Sequence, residues 1–373
     1  MSGVQIFKAN RESDSALRAF SRSYASDGSF GFCMEREPNY FEALTVEGLK
    51  NDVIAVRVGD EIIGTSTRSE KACFVNGNPE PVMLGYLSSL RIAPPYQKTS
   101  VLARGYRFLK ELHKAGGSKL YLTTIMGDNE KALEILTSRR AGLPAYEDFG
   151  IFYTYTLQPC DKVVSRLSSD SSLSISLGST EDAGEIIGFI HGHGPRRQFY
   201  PAYTEEMLVR RDGLLKGLSH EHVFLARKNG KLIGTLALWD QSSFRQRYIR
   251  SYSRLISTLR PLYNLYASLT SHPLLPKAGQ RLDYRFVAML CIADDDLKVF
   301  SSLFAAALNH LFSSKPDPQV HISLHERDPL RHVLEALPHF RTKSRLFVVH
   351  WDDGEQEFRN LTDLVPYIEP GAL

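Results

Sequence analysis

The chain has 373 residues, enough for two domains of ordinary size. Its 43% hydrophobic and 23% charged residues are typical of a globular protein, and the net charge of +3 gives no global reason to expect nucleic acid. No segment approaches the roughly 18 apolar residues of a membrane span or the apolar core of a signal peptide. Four widely spaced cysteines predict neither a disulfide framework nor a zinc site. We therefore expect a cytoplasmic protein that does not act at a membrane.

Residues 1–160 predict a domain in which helices and strands alternate. Residues 27–38, rich in glycine and aromatic residues, predict a loop. The pairs Gly59-Asp60 and Asn76-Gly77 predict hairpin turns, so the early strands should be antiparallel, and the later strand-helix-strand unit should add a parallel pair. The periodicity predicts helices at 13–24, 40–49, 100–114 and 130–139, and strands at 53–58, 62–74, 81–92, 119–124 and 149–157.

A serine-rich stretch at 161–172 predicts a linker, and residues 173–373 predict a second domain that opens with a strand at 173–177. This second domain repeats the first. Residues 53–65 align without a gap on 223–235, and residues 87–93 align on 287–293. The offset between the copies is larger in the second block than in the first, which indicates a duplication with an insertion near 240–282.

The insertion is rich in arginine and tyrosine. Arg247, Arg250 and Arg254 recur at helical spacing, and Ile249, Ile256 and Leu259 can form an apolar stripe beside them. One interpretation is a basic face that holds an acidic substrate, a phosphate or RNA. The other is a surface helix with a solvated basic face and a buried stripe.

Residues 90–103 predict a strand that runs into a helix. Pro94 and Pro95 end the strand, and the helix begins near Ser100. The free N–H groups at such a helix start point at one spot, and the helix dipole adds positive potential there. Lys98 and Arg104 add cationic charge, so this stretch predicts an anion site suited to pyrophosphate.

This order of elements resembles the acetyl-CoA motif of the GNAT N-acetyltransferase superfamily, Gln/Arg-x-x-Gly-x-Gly/Ala. Gln97 matches its first position, whereas Ser100 and Leu102 stand where glycines are expected. Asn129 with Ala132 is similar to the family's Asn-x-x-Ala. The resemblance implies an α/β fold of two GNAT-like modules, each with a mixed, mostly antiparallel sheet flanked by helices. It implies acetyl-CoA as co-substrate, held by Leu90, Arg91, Ile92, Gln97, Lys98, Thr99, Ser100, Val101, Leu102, Ala103 and Asn129.

The resemblance leaves the catalytic residues open. In that family a tyrosine seven residues after the asparagine usually protonates the leaving thiolate, and here that position is Leu136. Glu35, Tyr153 and Tyr155 are candidates elsewhere, but strand alternation also allows the two tyrosines to be packing residues on one sheet face. We therefore assign no catalytic residue from the sequence.

The second module departs further from the motif. The counterparts of Gln97, Ser100 and Asn129 are Leu297, Phe300 and Pro329. Three aspartates at 294–296 suit a helix start but would repel pyrophosphate, so we expect no CoA there. The histidines pair locally without a completing ligand set and predict no metal site.

Three functions remain open from the sequence. The first is acetyl transfer from acetyl-CoA to an amine of a small molecule or peptide. The second is a non-catalytic CoA-binding or interaction protein, favoured by Leu136 and by the missing glycines. The third is aminoacyl transfer from RNA, suggested by the insertion alone, so a nucleic-acid partner is not our main expectation. A homodimer is a further expectation.

Overall fold

The computed structural model describes residues 3–23, 30–140, 142–314 and 319–373. The end of the predicted first helix and the start of the loop predicted at 27–38 lie outside these residues. The elements up to residue 160 are β1 (Val4–Lys8), α1 (Asp14–Ser23), β2 (Phe30–Glu35), β3 (Lys50–Val58), β4 (Glu61–Phe74), β5 (Val82–Ile92), α2 (Val101–Lys114), β6 (Leu120–Met126), α3 (Glu130–Leu136) and β7 (Ala145–Leu157).

The later elements begin inside the predicted linker with a short helix. In chain order they are α4 (Asp161–Val164), β8 (Ser174–Leu177), α5 (Ala183–His193), β9 (Tyr200–Pro201), α6 (Glu205–Arg210), β10 (Val223–Lys228), β11 (Lys231–Trp239), β12 (Gln246–Tyr252), α7 (Arg254–Thr270), β13 (Tyr284–Ile292), α8 (Leu297–Ser314), β14 (Gln319–His325), α9 (Arg331–Glu335), β15 (Phe340–His350) and α10 (Glu355–Arg359). Within the described residues, no helix is both long and apolar enough to cross a membrane.

The predicted mixed α/β class is confirmed, because one large sheet runs through both modules with helices against it. Its strand order is β1-β3-β4-β5-β6-β15-β7-β14-β13-β11-β10-β8, and β9 adds to β4. The hairpin strands are antiparallel, as predicted, and β5 pairs with β6 in parallel. A separate ladder joins β2 to β12.

The two modules share their central strands. β15 comes from the C-terminal part of the chain, yet it lies between β6 and β7 of the first module and pairs antiparallel with both. β7 in turn pairs with β14 of the second module. The domain boundary at 161–172 stays a prediction, and the sheet itself continues across it.

Backbone irregularities repeat with the sequence repeat. Ser89 and Met289, which occupy matched positions of the two copies, both have a positive φ, 57° and 49°. In each module a threonine hydroxyl from the preceding strand donates to the carbonyl of that residue, Thr65 to Ser89 at 3.0 Å and Thr235 to Met289 at 2.9 Å. Each residue sits in a β-bulge, where the strand gains one residue relative to its neighbour. A shared irregularity of this kind supports the inferred duplication.

Three local predictions were wrong. The helix expected at 40–49 is only a short 3₁₀ turn, Glu42–Leu44, because most of this segment is buried and offers no solvent face for an amphipathic helix. The loop expected at 27–38 contains strand β2, whose partner β12 lies in the second module. Arg247 and Arg250 lie on that partner strand rather than on a helix, and the helix of the insertion begins at Arg254 with Ser253 as its N-cap.

Candidate active site

A cleft opens where β5 and β6 diverge. The two strands pair only at Gly85 with Tyr121 and at Tyr86 with Leu122, although β5 continues to Ile92. Gly85 permits this close approach, because a Cβ there would lie 2.0 Å from the Tyr121 ring. Beyond this point the strands separate and enclose a cleft of about 350 Å³.

The β5 side of the cleft is an unpaired strand edge. Beyond Tyr86, β5 makes no strand pairing with β6 among the described residues. The bulge at Ser89 and Leu90 also takes the backbone out of register with β4 on the other side. The cleft wall therefore offers peptide N–H and C=O groups to a ligand that contains amides.

Helix α2 begins at the end of this strand, as the sequence predicts. Ser100 is its exposed N-cap, and its side chain makes no capping hydrogen bond. The amides of Leu102 and Ala103 lie in the first helical turn and have no acceptor among the described residues. These N–H groups, together with the helix dipole, suit a phosphate group.

Three of the residues predicted to bind CoA lie in the turn before α2 or at its start. The Gln97 side-chain amide donates to the Ile92 carbonyl at 3.1 Å and accepts from Lys131 at the start of α3. The Thr99 hydroxyl donates to the Tyr96 carbonyl at 2.6 Å. Val101 is buried against the core and lies beside the narrow groove described next.

The remaining predicted residues divide between the cleft and its surroundings. Leu90, Arg91 and Asn129 line the cleft. Ile92 and Leu102 line a narrow adjoining groove of about 30 Å³ between β5 and α2. The Leu102 side chain packs against the core that contains Tyr106 and Leu109, so its bulk is directed away from the helix start. Ala103 is half-buried, and Lys98 lies at the turn before the helix.

Asn129 caps helix α3 from the opposite wall of the cleft. Its Oδ1 accepts a hydrogen bond from the Ala132 amide at 3.1 Å. Asn129 itself lines the cleft, and its capping bond uses only the side-chain oxygen. Contact of Asn129 with a ligand stays a prediction.

A buried carboxylate that the sequence analysis missed lies behind β5. Glu47 is fully buried and binds Arg36 and Arg245, and it accepts from the Ser88 hydroxyl at 2.5 Å. Burial alone would raise the pKa of Glu47, but the charges of Arg245 and Arg36 and the Ser88 hydrogen bond hold it below its usual value. The sequence signal was weak, because Glu47 is the second of two glutamates in a mostly apolar segment.

Two tyrosines, also missed, meet beside Leu136 in the cleft. The hydroxyls of Tyr106 on α2 and Tyr146 on β7 are 2.5 Å apart, and both side chains line the cleft. Burial raises the pKa of Tyr106 to about 12 and raises that of Tyr146 well above its usual value. Both hydroxyls therefore stay protonated at neutral pH and can act as donors.

The catalytic candidates named from the sequence lie elsewhere. Tyr155 is bound by Arg331 and Glu335, at 3.2 Å each, and Tyr153 stacks under Arg331, so both tyrosines pack against α9 on one sheet face. Glu35 pairs with Arg250 at 2.7 Å. None of the three lines the cleft.

In the second module the matching bulge and the start of the following helix are bound by the chain's own acidic groups. Glu369 accepts from the amide of Met289, the counterpart of Ser89, at 3.0 Å. Asp296 accepts from the first amides of α8, those of Lys298 and Val299, at 2.8 and 3.2 Å. A cavity of about 60 Å³ lies nearby, lined by residues that include Leu290, Ile292 and Asp295.

The aspartates in the loop before α8 are also bound by arginines of the second module. Arg196 binds Asp294, and Arg197 binds Asp295 and Asp328. The absence of CoA from this module stays a prediction. Among the residues that the structure describes, no cluster of three or more histidine, cysteine or acidic side chains could hold a metal ion.

Comparison with known proteins identifies the fold. No family model and no curated protein matches the sequence. Among solved structures, a tandem GNAT protein from the clavulanic acid biosynthesis pathway matches 93% of this chain and 98% of its own, with a TM-score of 0.54 and 11% identity. A probable N-acyltransferase from Enterococcus faecalis matches 93% of this chain and 72% of its own, with a TM-score of 0.52 and 9% identity.

A third match is part of a longer protein. It is the GCN5-related glucosamine N-acetyltransferase region of a fungal multi-domain GH3 β-N-acetylglucosaminidase, with a TM-score of 0.58 and 13% identity. It covers 93% of this chain, which spans only 38% of that protein's length. At these identities the likeness shows the fold alone. The chain has the tandem GNAT fold that the sequence predicted.

Proposed function

We propose that this protein transfers an acyl group, acetyl in the simplest case, from acyl-CoA to an amine. The observation that carries the proposal is the unpaired edge of β5, which leads along the cleft to the free amides at the start of α2. A pantetheine arm contains two amides that suit the strand edge, and a pyrophosphate suits the helix start. In the second module Glu369 and Asp296 accept from the amides at the matching bulge and at the start of α8, which supports placing the CoA site in the first module.

The contact of Glu369 supports a function for the bulge in the first module. In the second module the Glu369 carboxyl group accepts from the Met289 amide, and the Tyr367 hydroxyl lies 3.4 Å from the amide of Leu290. Both partners are oxygen atoms, one from a carboxyl group and one from a hydroxyl group. We infer that the corresponding amides of Ser89 and Leu90 receive the thioester oxygen, on which negative charge develops during acyl transfer.

The surrounding side chains suit the remaining steps. The amine nitrogen attacks the thioester carbon, the carbon–sulfur bond breaks, and the amine loses a proton while the thiolate gains one. The cationic charge of Arg91 and Arg247 on the cleft lining favours the neutral, nucleophilic form of the amine. Tyr106 and Tyr146 are the donors available to the leaving thiolate, in place of the tyrosine that Leu136 replaces.

Calorimetric titration with acetyl-CoA tests the binding step. We expect micromolar affinity for the wild type and its loss in Ser100→Glu, which places a negative charge at the α2 N-terminus. Ser100→Ala is the matched control, because the Ser100 side chain makes no capping bond, and it should bind like the wild type. No binding by the wild type would refute the proposal.

Release of free thiol with a panel of amines then separates catalysis from binding alone. Amine-dependent release supports the transferase. Binding of acetyl-CoA without release by any amine would favour the non-catalytic CoA-binding function instead.

A further inference from the structure

A second cavity, of about 290 Å³, adjoins the cleft on the side of the insertion. It lies between the ladder formed by β2 and β12 and the face of the central strands β7, β14 and β15. The two cavities share Met34, Arg91 and Arg247 in their linings, so a ligand in one can reach the other. We call this second cavity the acceptor pocket.

The walls of the acceptor pocket are mainly apolar. Hydroxyl groups on its sheet face include those of Thr154 and Ser323, which bond each other at 2.7 Å and so require no partner from a ligand. An apolar group of moderate size, such as an aromatic or branched aliphatic side chain, fits this lining. The apolar wall is formed by Phe30, Phe32, Ile249, Leu282, Phe286 and Phe340.

Two arginines, Arg91 and Arg247, line the junction between pocket and cleft, and Arg247 is the one that belongs to the insertion. The guanidinium of Arg247 lies 4.7 Å from the ring centre of Phe286 and 5.5 Å from that of Tyr284, so aromatic rings hold it in place. No carboxylate among the described residues forms an ion pair with Arg247, whereas Arg245 and Arg250 on the same segment pair with Glu47 and Glu35. A half-buried guanidinium without a counterion favours an anionic ligand.

A buried ring inside the pocket adds a neutral polar group. His321 lines the pocket, and its Nε2 is buried with no hydrogen-bond partner among the described residues. Burial, and secondly the charge of Arg247, lower the pKa of His321 to about 3, so the ring is neutral. The positive charge is therefore confined to the mouth of the pocket, and its interior remains uncharged.

We propose that the acceptor pocket binds an amine that carries both an apolar group and a carboxylate, as a hydrophobic amino acid does. The carboxylate would bind Arg247, the apolar group would occupy the pocket, and the amine would face the bulge at Ser89. A longer acyl chain from the donor is the less suitable occupant, because it would leave Arg247 without a counterion. The proposal rests on the transferase function proposed above.

The test is calorimetry with N-acetyl-L-phenylalanine, which represents the product. N-acetylglycine lacks the apolar group, and N-acetylphenethylamine lacks the carboxylate. We expect the wild type to bind N-acetyl-L-phenylalanine at least tenfold more tightly than either of them. Arg247→Gln should abolish the preference over N-acetylphenethylamine, and Thr342→Phe, which fills the pocket from β15, should abolish the preference over N-acetylglycine.

Arg281→Gln is the matched control, because this arginine belongs to the same insertion but donates to the Ser242 carbonyl outside the pocket. It should bind all three amides like the wild type. Equal affinity of wild type and Arg247→Gln for N-acetyl-L-phenylalanine would overturn the proposal. So would a long-chain acyl-CoA that binds more tightly than acetyl-CoA and loses that advantage in Thr342→Phe.

A parallel titration with acetyl-CoA distinguishes the two proposals. If acetyl-CoA binds and N-acetyl-L-phenylalanine does not, the acceptor proposal fails alone. If N-acetyl-L-phenylalanine binds with the expected preferences and acetyl-CoA does not, the pocket stands as a ligand site and the transferase proposal fails.

Discussion

Tyr106 and Tyr146 belong to different elements, yet their hydroxyls meet in the cleft next to Leu136. The motif that this sequence resembles places the acid at a fixed distance from Asn129, where this chain has Leu136. No rule of spacing connects residues 106 and 146, because their contact depends on how α2 packs over β7. This pair is therefore the kind of site feature that a sequence motif does not predict.

Tyr146→Phe and Tyr106→Phe test the donor function of this pair. If a hydroxyl stabilises the leaving thiolate, kcat should fall by about a hundredfold in at least one variant, with little change in the affinity for acetyl-CoA. Steady-state kinetics with thiol detection measures this. Leu133→Ala, in the apolar lining behind the pair, is the control for a loss of packing alone. Unchanged kcat in both tyrosine variants would contradict the assignment.

Glu47 makes a different kind of contribution, to stability. Glu47→Gln leaves the buried guanidinium groups of Arg36 and Arg245 without their counterion. We expect the free energy of unfolding in urea to fall by about 3–5 kcal/mol. Glu42→Gln, which removes only an exposed contact with Lys216, should cost less than about 1 kcal/mol. Equal losses in the two variants would mean that the buried cluster stabilises the fold no more than an exposed ion pair does.

The same carboxylate predicts a pH dependence. Because the folded-state pKa of Glu47 lies below its unfolded value, the stability that it contributes is present above the unfolded pKa, about 4.3. It is lost as the pH falls through the lower folded-state pKa. The difference in unfolding free energy between wild type and Glu47→Gln should therefore shrink on acidification from pH 7 to below pH 4, which urea titrations at several pH values would measure.

At the scale of elements, the sequence predicted the strands and helices that repeat between the modules. It failed where a partner lies far away. The pattern of Arg247, Ile249 and Arg250 fits a helix as well as a strand, and only the pairing of β12 with β2 decides between them. The same pairing also explains why a glycine-rich and aromatic segment became a strand instead of a loop.

Helix α7 of the insertion keeps an exposed apolar face, which gives a place to test the predicted homodimer. Leu255, Leu259, Leu262, Tyr266 and Leu269 are about half exposed or more and follow the 4-3-4-3 spacing of a helix–helix seam. A two-fold axis would bring this face against its own copy.

Light scattering over a range of concentrations would measure the dimer. The double variant Leu259→Gln, Leu262→Gln should be monomeric where the wild type is a dimer, because it interrupts the seam at its centre. Leu49→Gln, an exposed leucine on the other module, is the control and should leave the mass unchanged. A wild type that is monomeric at all concentrations would contradict the predicted homodimer.

At the scale of the whole molecule, the sequence predicted two modules but not their exchange of strands. Which strands pair depends on register and on contacts between distant parts of the chain, such as Tyr121 with Val349. The repeat alone is equally compatible with two separate sheets. The shared strands β7 and β15 exclude two separate sheets, because together they join the strands of both modules into one sheet.

Shared strands predict that the two modules unfold together. The two tryptophans report on different places, because Trp239 is buried in the second module and Trp351 stacks on His113 of the first. Trp239→Phe and Trp351→Phe each leave one reporter. We expect the two fluorescence transitions in urea to coincide, once corrected for the stability that each substitution costs. Two separate midpoints would show that the sheet is not one cooperative unit.

The position of β15 also orders events during protein synthesis. A ribosome releases the chain from its N-terminus, so β6 and β7 emerge long before the strand that fills the gap between them. Until residues 340–350 arrive, the first module has two unpaired strand edges at its centre, which other chains could occupy. Because β15 pairs with β7, we expect Tyr146 on β7 to reach its place beside Tyr106 only after this much later strand has been synthesised.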